Sequence, residues 1–274
     1  MRIALAQLPV SADPAVNLER VRAALEQAAA GGAALAVFPE ATMARFGADL
    51  RAAAEPLDGP FCSAVAAACA ASGVAAVVGV FEPAAGGRVY NTAAVFGPDG
   101  ARLARYRKLH LFDAFTQRES DLVAAGNEVV TALLDGTVVA PQVCYDIRFP
   151  ELTRAQAVLG ARLVTVSAAW QAGLFKEEHW VTLLRARAIE NTLWIAAAGQ
   201  VPDPDEKPTR APTGVGRSML IDPLGVVRCD LGPAAGLVVA EADMSLVDSV
   251  RATLPSLANR RQDIFGAALP GPAR

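Results

Sequence analysis

Residues 137–170, TVVAPQVCYDIRFPELTRAQAVLGARLVTVSAAW, carry the architecture in one line. TVVAPQVCYD is an apolar run of strand length. A helix opens at Pro150, a suitable first-turn position for proline, and ARLVTVSAAW is a second apolar strand. Continuous apolar strands separated by a helix describe sheets covered on a face, the mark of α/β layering. Cys144 stands at the junction of strand and helix, followed by an acid, an arginine and a proline. It is either a small buried hydrophobe, as most free cysteines are, or a nucleophile.

The same alternation runs outward in both directions. RIALAQLPV reads as the first strand. NLERVRAALEQAAAGG is a helix with Leu18, Val21, Leu25 and Ala28 on one face, Asn17 as its N-cap and Gly31-Gly32 as its stop. AALAVFPE is a short strand ended by Pro39. VYNTAAVFGPDGARLARYRKLH is a hairpin turning at Pro98-Asp99-Gly100. Downstream, EEHWVTLLRARAIENT places Trp180, Leu183, Leu184, Ala188 and Ile189 near one helix face. LWIAAAG is a strand, SMLIDPLGVVRCDL a second hairpin, and GLVVAEADM the last strand. The proline-rich stretch 201–216 is a surface loop of the kind that borders sites. The expected organisation is one layered domain over 1–266, with 267–274 a frayed tail.

Composition removes several classes. Hydrophobic residues make up 53% and charged residues 19% of the 274 residues, enough to bury a large core and unlike a disordered chain. A net charge of -3 with no basic block gives no nucleic-acid footprint and no polybasic membrane anchor. Gly59 to Phe81 is uncharged and long enough to span a bilayer. It is mostly alanine, broken at Ser72-Gly73, and reads as a helix followed by a strand. The N-terminal MRIALAQLPV has too short an apolar run for a secretory signal and is expected to be a strand. Cys62, Cys69, Cys144 and Cys229 show no CxxC and no framework spacing, so reduced thiols in a cytoplasm are expected. Two histidines and scattered cysteines offer no zinc spacing.

Sites in α/β sheets gather past the carboxyl ends of strands. Three reactive residues fall there: Glu40 after ALAVFP, Lys108 after RLARYR, and Cys144. A histidine-assisted thiol needs an imidazole, and neither His110 nor His179 can be placed beside Cys144 from spacing. The other route to an active thiol is a carboxylate assisted by a cation, a scheme Glu40 and Lys108 would fit.

The ordered set FPE (38–40), YRKLHLFD (106–113), CYDIRFPEL (144–152), SAAW (167–170), HWVTLLRARAIENTLWIAAAGQ (179–200), GRSMLIDPLG (216–225) and VRATLPSLANRRQDIF (250–265) resembles the nitrilase superfamily of carbon–nitrogen hydrolases. YRKLHLFD and CYDIRFPEL resemble its Nit-like branch, which includes ω-amidase and deaminated-glutathione amidase. The resemblance implies a four-layer-forming α-β-β-α sandwich that dimerises as α-β-β-α:α-β-β-α, with no cofactor or metal. It implies Glu40 as general base, Lys108 as electrostatic partner and Cys144 as nucleophile. Glu119 is implied as the second glutamate, with Glu128 as its rival, and the backbone N–H of Tyr145 as an oxyanion donor. The implied reaction is hydrolysis of a small linear amide to an acid and ammonia through a thioester. A carbamoyl hydrolase or a nitrilase on the same triad, and a catalytically silent interaction module, are the alternatives. Arg148 is either a clamp for a substrate carboxylate or a brace paired with Asp146 or Glu151. Phe115 and Trp170 are candidate pocket walls. DPLG and GRS depart from the residues many relatives carry in the second hairpin.

Overall fold

The structure is a computed structural model and describes residues 1–115, 117–206 and 211–265. The chain lays down one sheet, then a second, and returns to the first. The first sheet takes β1 (Arg2–Gln7), β2 (Leu35–Val37), β3 (Ala75–Pro83), β4 (Val89–Phe96), β5 (Arg102–Arg107) and β6 (Val123–Ala124). The second takes β7 (Ala132–Leu134), β8 (Thr137–Val143), β9 (Leu163–Ala168), β10 (Trp194–Gly199), β11 (Met219–Ile221) and β12 (Val227–Asp230). The last strand, β13 (Gly236–Glu241), pairs antiparallel with β1 along its whole length, Arg2 opposite Glu241. The sheet orders are β13-β1-β2-β3-β4-β5, with β6 beside β4, and β12-β11-β10-β9-β8-β7. Parallel pairing at β1-β2-β3 and β8-β9-β10 forms the centre of each sheet, and antiparallel hairpins form the flanks.

The helices are α1 (Pro14–Ala30), α2 (Leu50–Ala53), α3 (Pro60–Ser72), α4 (Pro150–Val158), α5 (Lys176–Asn191), α6 (Ser245–Thr253) and α7 (Gln262–Phe265). Strand alternation sorts side chains into three cores. Ala4 and Ala6 of β1 turn to the core shared with α1 and α3, while Ile3 and Leu5 turn to the core between the sheets. In the second sheet, Leu163 faces the inter-sheet core, and Val164 and Val166 meet Trp180, Leu184 and Ala188 of α5. Helix, sheet, sheet and helix layers follow, so the expected α-β-β-α sandwich is the architecture found. Both expected hairpins form. Cys62 and Cys69 are buried in α3, and among the described residues no helix is long and apolar enough to cross a membrane.

Two local expectations are corrected. The cap of α1 is Asp13, whose carboxylate accepts the Ala15 N–H, with Pro14 opening the helix. Asn17 lies one turn in, buried, where its amide bonds Ser11 and Met43 backbone atoms and ties the loop after β1 to the segment after Glu40. Ile189 is 43% exposed and leaves the apolar face of α5. The tail expected at 267–274 lies outside the described residues.

Candidate active site

Glu40 follows β2, Lys108 follows β5 and Cys144 follows β8, so two of the strand-end candidates come from one sheet and the third from the other. The Glu40 turn passes tightly over β3. A Cβ on Gly79 would lie 2.6 Å from both Ala41 N and Pro39 O, so this crossing needs glycine. Lys108 is held by its backbone, donating to Asn91 O at 2.8 Å and accepting from Gly126 N at 2.8 Å.

The Glu40 carboxylate is 1% exposed and fully engaged. Oε1 accepts Lys108 Nζ at 3.0 Å and Asn91 Nδ2 at 2.8 Å, and Oε2 accepts Ala169 N at 2.8 Å. Gln200 Nε2 donates to the Glu40 carbonyl. Ala169 and Gln200 follow β9 and β10, so the second sheet grips a carboxylate carried by the first.

Lys108 also donates to both oxygens of Glu119, at 3.0 and 2.8 Å. Glu119 in turn accepts Phe112 N at 2.7 Å and Asn91 Nδ2 at 3.2 Å. Burial works to strip the ammonium of its proton. The Glu119 and Glu40 carboxylates outweigh it and hold Lys108 well above the ordinary lysine range. Glu119, the candidate second glutamate, therefore shares the site, and its rival Glu128 is exposed outside the cavity.

Cys144 is presented by a strained turn. It has φ 47°, left-handed for a non-glycine residue, and opens a 3-10 turn over Cys144–Arg148. Asp146, fully buried, fixes that turn. Its Oδ2 accepts Val143 N at 3.0 Å and Tyr106 OH at 2.7 Å; its Oδ1 accepts His110 N at 3.1 Å and faces His110 Nδ1 at 2.8 Å. The cysteine turn is thus tied to residues on both sides of Lys108. Arg187 of α5 adds a bond to Ile147 O at 2.9 Å. Burial and then the Glu40 charge push the Cys144 thiol well up, against the pull of Lys108, a shift that favours the protonated thiol. Cys62 and Cys69 are pushed up to about 12 by burial and sit apart from the cavity.

These groups open into a cavity of about 190 Å³, lined also by Arg148, Trp170 and Lys176. Trp170 is 4% exposed and forms a wall. Phe115 does not: it has φ 58°, is 83% exposed and stands off the lining, where Phe112 is found instead. Arg148 lies with Cζ 4.8 Å over the Trp170 ring and Nη2 3.4 Å from His179 Nδ1. The alternative brace to Asp146 or Glu151 is not formed, because Asp146 is turned inward to Tyr106 and His110. His110 stacks on Phe149 at 3.7 Å. The loop 201–216 reaches the cavity through Ala211 and Pro212. Sequence reasoning misses Asn91, Phe112 and Lys176, and names Asp146 only as a partner for Arg148. Asp146, an acid two residues beyond the cysteine at the head of a turn, was the one with a local signal.

The family profile described as carbon-nitrogen hydrolase matches residues 2–252. A hydrolase of Mycobacterium tuberculosis is 44% identical over 268 residues, 95% of each chain. The deaminated glutathione amidase of Escherichia coli O157:H7 is 37% identical over 265 residues, covering 95% of this chain and 97% of its own. Among solved structures, an amidase from Nesterenkonia, of the nitrilase superfamily, superposes with a TM-score of 0.82 at 26% identity. The match covers 98% of this chain and 100% of that one, in which acrylamide has added to the active-site cysteine.

Proposed function

Because this chain belongs to the carbon–nitrogen hydrolase family, we propose that it is an amidase working through Cys144 as nucleophile and Glu40 as base. The observation that carries the reading is the Lys108 ammonium held between the Glu40 and Glu119 carboxylates beside a thiol on a strained turn. His110 and His179 are both engaged elsewhere, so the carboxylate takes the part an imbalance of histidines left open.

The steps follow from the groups present. Glu40 takes the thiol proton and the Cys144 sulfur attacks the amide carbon. Charge builds on the former carbonyl oxygen, met by the Lys108 ammonium and by the N–H of Tyr145, a residue of the first turn after Cys144, where backbone donors lack intrahelical partners. Glu119 keeps Lys108 charged and placed. The tetrahedral adduct collapses as Glu40 returns its proton to the leaving nitrogen, and ammonia departs. Glu40 then draws a proton from water, the hydroxide attacks the thioester, and the carboxylic acid leaves as the thiol is restored. Arg148 is the group that meets a carboxylate on the substrate, through its planar fork. The relative named for a glutathione derivative favours a carboxylated amide over a neutral one. Pairing of two chains belongs to the same proposal and is read by sedimentation velocity.

The test is ammonia release from a panel of small amides, carbamoyl amino acids and nitriles, with intact-protein mass spectrometry for the acyl adduct. Cys144→Ala should lose both turnover and adduct. Turnover retained by purified Cys144→Ala, or carbon dioxide released with the ammonia, would overturn the assignment.

A further inference from the structure

We propose that Lys176 is a second specificity-determining residue, sharing with Arg148 the carboxylate at the end of the substrate remote from the scissile amide. The proposal rests on the amidase reading above and adds a residue to it. Four cations line the cavity: Lys108, Arg118, Arg148 and Lys176. The two lining acids, Glu40 and Glu119, are both bound to Lys108. Arg118 pairs with Asp121 at 3.4 Å. Among the described residues, no acid lies within 4.0 Å of Arg148 or Lys176.

The two cations are held without being neutralised. Lys176 Nζ stands 4.5 Å from the Phe115 ring centroid, 5.1 Å from Phe112 and 6.0 Å from Trp170. Arg148 Cζ stands 4.8 Å from the same Trp170 ring. Aromatic faces stabilise a cation and leave its charge free to bind an anion. Trp170 Nε1 also donates to Lys176 O at 2.7 Å, fixing the start of α5 to the pocket wall. The acids that follow Lys176 in sequence face elsewhere: Glu177 binds Arg217 and Glu178 accepts from Thr182. Burial, and then repulsion from Arg148, lower the Lys176 pKa, so the Arg148 charge is felt at Lys176. Two like charges brought together with no counterion among the described residues leave the counterion to the ligand. A carboxylate, with two oxygens and one negative charge, is shared between an arginine fork and a lysine point charge. The Phe115 ring, exposed and off the cavity lining, then has a part: it backs the lysine, not the substrate.

The experiment compares succinamate with butyramide, which has the same length and ends in a methyl group. The ratio of their kcat/KM values is measured for the unaltered protein, Lys176→Met and Lys176→Arg. Lys176→Met should lower the ratio about tenfold through a higher KM for succinamate, and Lys176→Arg should restore most of it. Equilibrium binding of succinamate to Cys144→Ala, with and without Lys176→Met, should show the same loss with no turnover involved. A ratio within twofold of the parent in Lys176→Met, or equal losses on both amides, would overturn the role of Lys176. If the unaltered protein hydrolyses neither amide, the amidase reading fails, and the binding measurement still decides the carboxylate site.

Discussion

Replacing Asp146 with asparagine should damage stability and turnover together. The carboxylate accepts donors on both oxygens: Tyr106 OH and Val143 N on one, His110 N on the other, with His110 Nδ1 facing it. Asparagine keeps the volume and turns one oxygen into a donor, so one of those pairs loses its acceptor in a fully buried place. Hydrogen bonds to a charged group contribute about 1.5–3 kcal/mol each. Losing two, with partial relaxation, gives a destabilisation of about 3–5 kcal/mol. For a chain of this size that is a fall in Tm of roughly 6–20 °C. The turn bearing Cys144 loses its tie to the Lys108 segment at the same time. A displacement of about 1 Å between reacting groups costs on the order of a hundredfold in rate. Urea unfolding and kcat/KM on the best amide measure the two effects. Tyr106→Phe removes one donor and should cost about 1–2 kcal/mol, and the double variant should cost less than the sum, since both act on one bond. An Asp146→Asn protein within about 1 kcal/mol of the parent and with full kcat/KM would refute the reasoning that this carboxylate organises the turn.

Glu119→Gln should lower kcat about 10²–10³-fold with a modest change in KM. It should also move the alkaline limb of the pH–rate profile to lower pH, because Glu119 is the leading group raising Lys108 against burial. Gly79→Ala should cost about 1–3 kcal/mol and reduce activity, since the new methyl meets the Glu40 turn at 2.6 Å; thermal melts and turnover report both. Glu206 is pushed down to about 2 by the Ala12 N–H, the Ser11 hydroxyl and Arg45. A depressed carboxyl adds stability that is complete above the usual glutamate pKa of about 4.3 and fades as pH falls toward 2. The difference in urea midpoint between the parent and Glu206→Gln should therefore be constant from pH 7 to 5 and shrink on further acidification.

The positions of Glu40, Lys108 and Cys144 were readable because a strand end is a local feature, marked by an apolar run and the residue that stops it. The layering was readable for the same reason. The partners were not. Asn91 looks like one of many polar strand residues, and only the pairing of β4 with its neighbours brings it between Glu40 and Glu119. Phe112 and Phe115 differ by three positions in a loop, and the left-handed backbone at Phe115 decides which one faces the cavity. Asn17 has the chemistry of a cap, while Asp13-Pro14 four residues earlier carries the stronger signal. Arg148 could not be resolved from composition, since its freedom depends on Asp146 being bound elsewhere.

The pairing of β1 with β13 has a consequence for the order in which the protein comes into being. β1 must wait for β13, and until residues 236–241 arrive its outer edge is open along all six residues. Glu40 waits as well, since its holding donors at Ala169 and Gln200 are translated more than a hundred residues later. A stalled or truncated nascent chain would carry the cysteine and the lysine but not their assembled neighbourhood. Assembly of the site therefore comes after its reactive residues are made, and the open edge of β1 marks where a chain lacking β13 would seek another strand.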